Sequence, residues 1–276
     1  IRGNFRSVPM EHLLKEAKEL VTQGVKELIL VAQETTLYGK DIYGDKTLPT
    51  LLKELCKISG LRWIRILYCY PEEITDDLIQ VIKEEDKICN YLDLPIQHAS
   101  DAILKRMGRR TSKEQLVQII SKLRKEIPDI AIRTTLITGF PGETEAQHEE
   151  LMEFVDEMEF DRLGVFTYSP EEDTPAAMMP EQLEETVKED RQADLMELQQ
   201  EIAFEKAENM IGREVLVMIE GKVADENAYV GRTYMDAPNV DGLIFVETNE
   251  ELMSGDFAKV RVTGALEYDL IGEIIS

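Results

Sequence analysis

Alternation of helix-like and strand-like patterns over residues 1–170 predicts an α/β fold with a parallel sheet. After residue 210 the apolar period shortens to two, which predicts a second, small β-barrel. The third observation is charge. The chain has 276 residues and a net charge of −24, and residues 171–276 hold 26 acidic residues against 8 basic.

The elements follow in order. Residues 9–23 place Leu13, Leu14, Ala17, Leu20 and Val21 at helical spacing, and Gly24 stops the helix. KELILVAQ (26–33) is a short apolar run, as expected of a strand buried on both faces. A helix near 48–58 precedes the strand RWIRILYC (62–69), and Thr75 caps a helix over 76–86. The strand YLDLPIQ (91–97) is followed by helices over 100–107 and 112–126 and by the strand AIRTTLI (131–137). Thr144 and Gln147 form a capping box for the helix 145–158, and the strand DRLGVFTYS (161–169) ends the series.

Five strands separated by helices imply right-handed crossovers. A complete eightfold barrel takes about 250 residues, so these 170 residues predict an open sheet or a partial, TIM-like barrel. A long acidic amphipathic helix follows over 180–208, with Leu183, Val187, Leu195, Leu198, Ile202 and Ala203 as its apolar face. Short strands over 213–220, 228–235, 243–247, 257–263 and 268–275 predict a small antiparallel barrel of OB-like type. The two units are expected to be residues 1–210 and 211–276.

Composition excludes several functions. An acidic surface repels phosphate backbones, which disfavours a general nucleic-acid binder and favours a basic partner. Cys56, Cys69 and Cys89 fit no zinc or disulfide spacing, and read as small core thiols in a reducing, cytoplasmic setting. No Ser-His-Asp, Walker or HExxH arrangement is present.

In parallel α/β folds, chemistry sits at the C-terminal ends of the strands. Gln33 and Glu34 follow the first strand and either hold a ligand amine or satisfy loop backbone. Gln97, His98 and Ser100 follow the third, where His98 is a ligand contact or a proton carrier and Ser100 a helix cap. Lys105-Arg106-Met107-Gly108-Arg109-Arg110 is either a solvated helix end or an anion clamp. Arg133 interrupts an apolar strand, so it must be paired or face a ligand. Gly139 and Phe140 lie in the glycine loop Thr138–Thr144, and Phe166 to Tyr168 form an aromatic lip or pack in the core.

Taken together, these segments resemble the radical S-adenosylmethionine methylthiotransferases. The resemblance rests on Arg2-Gly3 with Arg6-Ser7, LILVAQETTLYG (28–39), RILYCYPEEITDDLI (65–79), YLDLPIQHASDAILKRMGRR (91–110), RTTLITGFPGET (133–144), FDRLGVFTYSPEEDTPAA (160–177) and ELQQEI (197–202). The terminal segment, with GRTYMDAPNVDGLIFV (231–246) and EYDLIGE (267–273), resembles a TRAM domain of the protein-modifying branch. That segment holds 5 basic and 13 acidic residues, whereas a domain that grips RNA is basic.

The resemblance implies a transferase that methylthiolates the β-carbon of an aspartate in the twelfth small-subunit ribosomal protein, a basic partner met by the acidic C-terminal region. It implies S-adenosylmethionine and two four-iron four-sulfur clusters as cofactors. A tRNA-modifying enzyme of the same family and a non-catalytic module that docks on the ribosomal protein are the alternatives. The family's CxxxCxxC is expected upstream of Ile1, so the expectation is a fragment without cluster ligands, without the first strand, and inactive alone. By resemblance, Gln33 and Glu34 meet the methionine amine, and Gln97, His98, Ser100 and Arg133 the ribose or carboxylate. Gly139, Phe140 and Tyr168 border the adenine.

Overall fold

The computed structural model describes residues 5–275. The matched Arg2-Gly3 therefore lies outside the described residues. The first unit comprises α1 (Met10–Thr22), β1 (Glu27–Leu30), the one-turn α2 (Lys40–Tyr43), α3 (Leu48–Cys56), β2 (Trp63–Ile66), α4 (Asp76–Glu84), β3 (Ile88–Asp93), α5 (Asp101–Arg106), α6 (Lys113–Glu126), β4 (Ala131–Thr138), α7 (Glu145–Met158), β5 (Arg162–Thr167) and α8 (Glu185–Glu208). The caps are those the sequence predicts. Thr75 accepts from the Leu78 N–H, and both Ser112/Gln115 and Thr144/Gln147 close capping boxes.

The five strands form one parallel sheet in the order β1-β2-β3-β4-β5. Side chains alternate across it. Ile64, Ile66, Leu92, Ile132 and Leu136 face the helices and join one apolar core with Leu52, Phe154 and Phe160. On the opposite face, Trp63, Cys89, Tyr91 and Ala131 pack against the second unit. Residues of β1 are only half-buried, not buried on both faces as expected, because β1 has a strand neighbour on one side alone among the described residues.

Helix α8 starts at Glu185, not at 180, after an irregular stretch in which Glu181 holds φ +63. Its inner face is also less apolar than expected. Lys188, Arg191 and Gln199 are buried beside Leu195, Ile202 and Ala203, while Val187 is exposed.

The second unit is a closed five-stranded barrel of β6 (Glu214–Lys222), β7 (Ala228–Arg232), β8 (Ile244–Glu247), β9 (Phe257–Leu266) and β10 (Asp269–Ile274). Around the ring the order is β10-β8-β7-β6-β9. The barrel is not wholly antiparallel, since β8 and β10 pair in parallel. An odd number of strands cannot close a ring with every neighbour antiparallel, so one parallel pair is obligatory.

Candidate functional site

The C-terminal ends of β1 to β5 form an open mouth. Val31, Tyr68 and Phe166 are large apolar residues exposed at these ends, and Gln33 is exposed with them. An exposed apolar rim around polar groups is the usual character of a binding surface.

Arg133 is paired, as a charge in an apolar strand requires. Nη1 donates to Asp93 Oδ1 at 3.0 Å and to Thr135 Oγ1 at 3.2 Å, and Nε donates to Asp241 Oδ1 of the barrel at 3.3 Å. Its side chain keeps 16% exposure. Gln97 adopts φ +71, and its backbone extends the sheet, donating to Thr135 O at 2.9 Å and accepting from Ile137 N at 2.8 Å.

Glu34 is held by the loops after β1 and β2. It is buried and accepts from the N–H groups of Thr36 at 2.9 Å and Tyr70 at 3.0 Å. Burial pushes its carboxyl up to about 7 against those bonds. It ties the loop after β1 to the loop after β2.

His98 is engaged within the loop. It is fully buried, and Nδ1 accepts from the Ser100 N–H at 2.9 Å. That bond leaves the ring proton on Nε2, 3.7 Å from Glu143 Oε2. Glu143 is the centre of the glycine loop. Its Oε2 accepts from Gly139 N at 2.7 Å and Phe140 N at 3.2 Å, and its Oε1 from Arg191 Nη1 at 3.0 Å. Burial opposes the Glu143 charge, but His98, Arg191 and the Gly139 N–H hold its carboxyl below the usual value. Ser100 is buried at the start of α5 without a side-chain cap bond.

Phe140 and Tyr168 meet edge to face at 5.2 Å and pack with Ile103. They stand as core beneath the loop, so the exposed member of the aromatic lip is Phe166. Gly139 has φ +70, and a Cβ would run into the Lys188 side chain. In the basic run at the end of α5, Arg109 donates to Pro95 O and lies 4.6 Å over the Tyr70 ring, Arg106 pairs with Glu181, and Lys105 and Arg110 are exposed.

Sequence reasoning missed Tyr68 and Asp93. Asp93 interrupts a buried strand as Arg133 does, and the same requirement for a partner would have joined them. The left-handed backbone of Tyr68, φ +56, has no sequence signal.

No group of three or more His, Cys, Asp or Glu residues able to hold a metal occurs among the described residues. Cys56, Cys69 and Cys89 are buried and unpaired. Burial pushes the Cys56 and Cys89 thiols up to about 12 and Cys69 well up.

The pattern of the radical SAM superfamily matches residues 1–155, more than half of the chain. The chain belongs to the radical SAM superfamily. Residues 211–275 match a TRAM domain. Over 272 residues the chain is 68% identical to the ribosomal protein uS12 methylthiotransferase RimO of Lachnoclostridium phytofermentans, covering 99% of this chain and 62% of that protein. The protein of the same description from Clostridium botulinum, strain Hall, is 54% identical over 99% of this chain and 61% of its own length. That of Desulfitobacterium hafniense is 49% identical over the whole chain and 62% of its own length. The chain thus spans about three-fifths of the length of these relatives. Radical SAM membership brings S-adenosylmethionine and a four-iron four-sulfur cluster as the family's cofactors. The described residues do not fit the cluster, because their cysteines are buried and dispersed. No helix among them is long and apolar enough to cross a membrane.

Proposed function

We propose that this chain supplies the S-adenosylmethionine-binding sheet and the terminal barrel of a cytoplasmic methylthiotransferase acting on an aspartate of ribosomal protein uS12. The observation that carries the reading is the 68% identity over 99% of the chain to a protein of that description. The units divide between Met210 and Ile211, a boundary supported by the TRAM match from 211 and by the gap between α8 and β6.

S-adenosylmethionine, when bound, would supply the methyl group, and a deoxyadenosyl radical only on receiving one electron from a reduced iron–sulfur cluster that the described residues do not ligate. The residues of this chain bind and orient it. Arg133, with a side chain still 16% exposed, would suit a carboxylate. Gln33 and Gln97 offer amides at the ends of β1 and β3, and Phe166 offers an apolar face. Glu34, His98, Ser100, Gly139, Phe140 and Tyr168 act one layer back, holding the loops on which the contacts ride. The barrel's acidic surface meets the basic ribosomal protein. Its charge is partly internal, since Glu220, Asp236 and Asp241 pair with Arg232, Arg162 and Arg133.

The test joins this chain to the N-terminal region of the Lachnoclostridium phytofermentans relative. Deoxyadenosine release and a methylthio mass increase on uS12, but not on tRNA, are expected. Modification of tRNA instead would reverse the assignment. In the same protein, alanine at Gln33, Gln97 or Arg133 weakens S-adenosylmethionine binding, and unchanged affinity in all three overturns the contact set.

A further inference from the structure

The barrel is wired to the mouth of the sheet. Asp241, on the loop between β7 and β8, is fixed from both units: its Oδ2 accepts from the Ala237 N–H at 2.8 Å within the barrel and from the Tyr91 hydroxyl of β3 at 2.8 Å. Its Oδ1 accepts from Arg133 Nε. Arg133 passes the connection to Asp93 Oδ1, and the other oxygen of Asp93 accepts from the Tyr68 N–H at 3.1 Å. Asp93 and Asp241 are nearly inaccessible, with side chains 3% exposed. Charged hydrogen bonds in such surroundings are directional and strong, and a group that loses one partner is driven to find another.

The end of this path is a strained residue. Tyr68 holds φ +56, a conformation that costs a residue with a Cβ about 1–2 kcal/mol, and an outlier of this kind persists only where its surroundings over-determine it. The Asp93 carboxylate on its N–H is one such constraint, and the Tyr68 carbonyl, accepting from Thr35 N at 2.9 Å, is another. The ring is 46% exposed at the mouth.

The rest of the interface is paired in both senses, since Arg232 of the barrel also meets Glu27 of β1. Arg65 and Arg162 meet the barrel through the Tyr234 carbonyl and Asp236. Those pairs dock the barrel without reaching Tyr68. Asp241 touches a group, Arg133, whose bonds continue to Tyr68.

We propose that Asp241 is a positioning residue, which orients Arg133 and, through Asp93, holds the backbone of Tyr68, so that the docked barrel forms part of the ligand-facing surface of the sheet. The inference rests on the proposed function only in naming what the mouth receives.

Amide hydrogen exchange on the full chain tests it without any cofactor. Asp241→Asn removes the charge that fixes Arg133 and leaves the shape. The Tyr68 amide is expected to exchange about tenfold faster or more, the factor set by weakening one charged hydrogen bond. Amides inside the strands, such as Leu92 and Val165, keep their rates. Asp236→Asn is the control, since it loosens docking at Arg162 and leaves Tyr68 unchanged. Equal acceleration at Tyr68 in both variants, or no acceleration in Asp241→Asn, overturns the proposal. Should Asp241→Asn not fold, Tyr91→Phe removes one anchor of Asp241 and carries the same prediction at smaller size; an unchanged Tyr68 amide there overturns it equally. The cofactor reading fails separately, in the deoxyadenosine and binding assays.

Discussion

Arg191→Met tests the clamp on the glycine loop. Arg191 Nη1 donates to Glu143 Oε1 at 3.0 Å and to the Glu143 carbonyl at 3.1 Å, and the two side chains are 7% and 0% exposed. Methionine leaves the Glu143 charge buried with the Gly139 and Phe140 N–H groups and His98 as its remaining partners. Removing one partner of a buried pair costs about 3–5 kcal/mol. The second pair, to the exposed Glu145, adds at most about 1 kcal/mol. Arg191 Nε is buried without a partner, a cost that the variant relieves, so the expected loss lies near the lower figure, about 3 kcal/mol. Urea unfolding of the full chain measures it. Adding Glu143→Gln removes the stranded charge, and the double variant is expected to recover a large part of the loss, with a coupling of about 2 kcal/mol. A loss under about 1 kcal/mol in Arg191→Met, or strict additivity in the cycle, would refute the clamp.

Three further outcomes follow from the same structure. The Glu34 carboxyl binds its proton near pH 7 in the folded chain against an ordinary value of 4.5, so its contribution to stability is full below about pH 4.5 and lost as the pH rises to 7; Glu34→Gln therefore gains on the parent chain across that window, by at most about 3 kcal/mol in urea unfolding, and a constant difference would contradict the burial argument. Gly139→Ala meets Lys188 at φ +70 and is expected to cost about 2–4 kcal/mol, whereas Gly24→Ala, at φ +102 with open space, costs only about 1–2 kcal/mol, so equal thermal shifts would count against the close contact. Thr144→Ala opens the capping box of α7 and lowers stability by about 1 kcal/mol, read by chemical unfolding; no loss there would mean that water replaces the cap.

Local rules made most of the fold legible. Thr75, Ser112 and Thr144 mark helix starts because a capping hydroxyl needs only its own next turn. The change of period after residue 210 marked the barrel because alternation is a property of each strand alone. The site was harder. Arg133 announced itself as a charge in an apolar strand, but nothing nearby in sequence told a ligand from Asp241, 108 residues away. His98 and Glu34 looked like ligands because polar residues at strand ends so often are, and the tertiary structure buries both beneath the loops they hold.

The sequence by itself determined the order of elements, the parallel sheet, the small barrel and the acidic bias, since all of these follow from periodicity, caps and composition. Even the parallel closure of the barrel was implicit in its five strands. Tertiary structure alone decided which charges face solvent and which face each other. Ion pairing depends on distance in space, and burial sets its strength, so Arg133, Asp93 and Asp241 acquire their roles only when the barrel lies on the sheet.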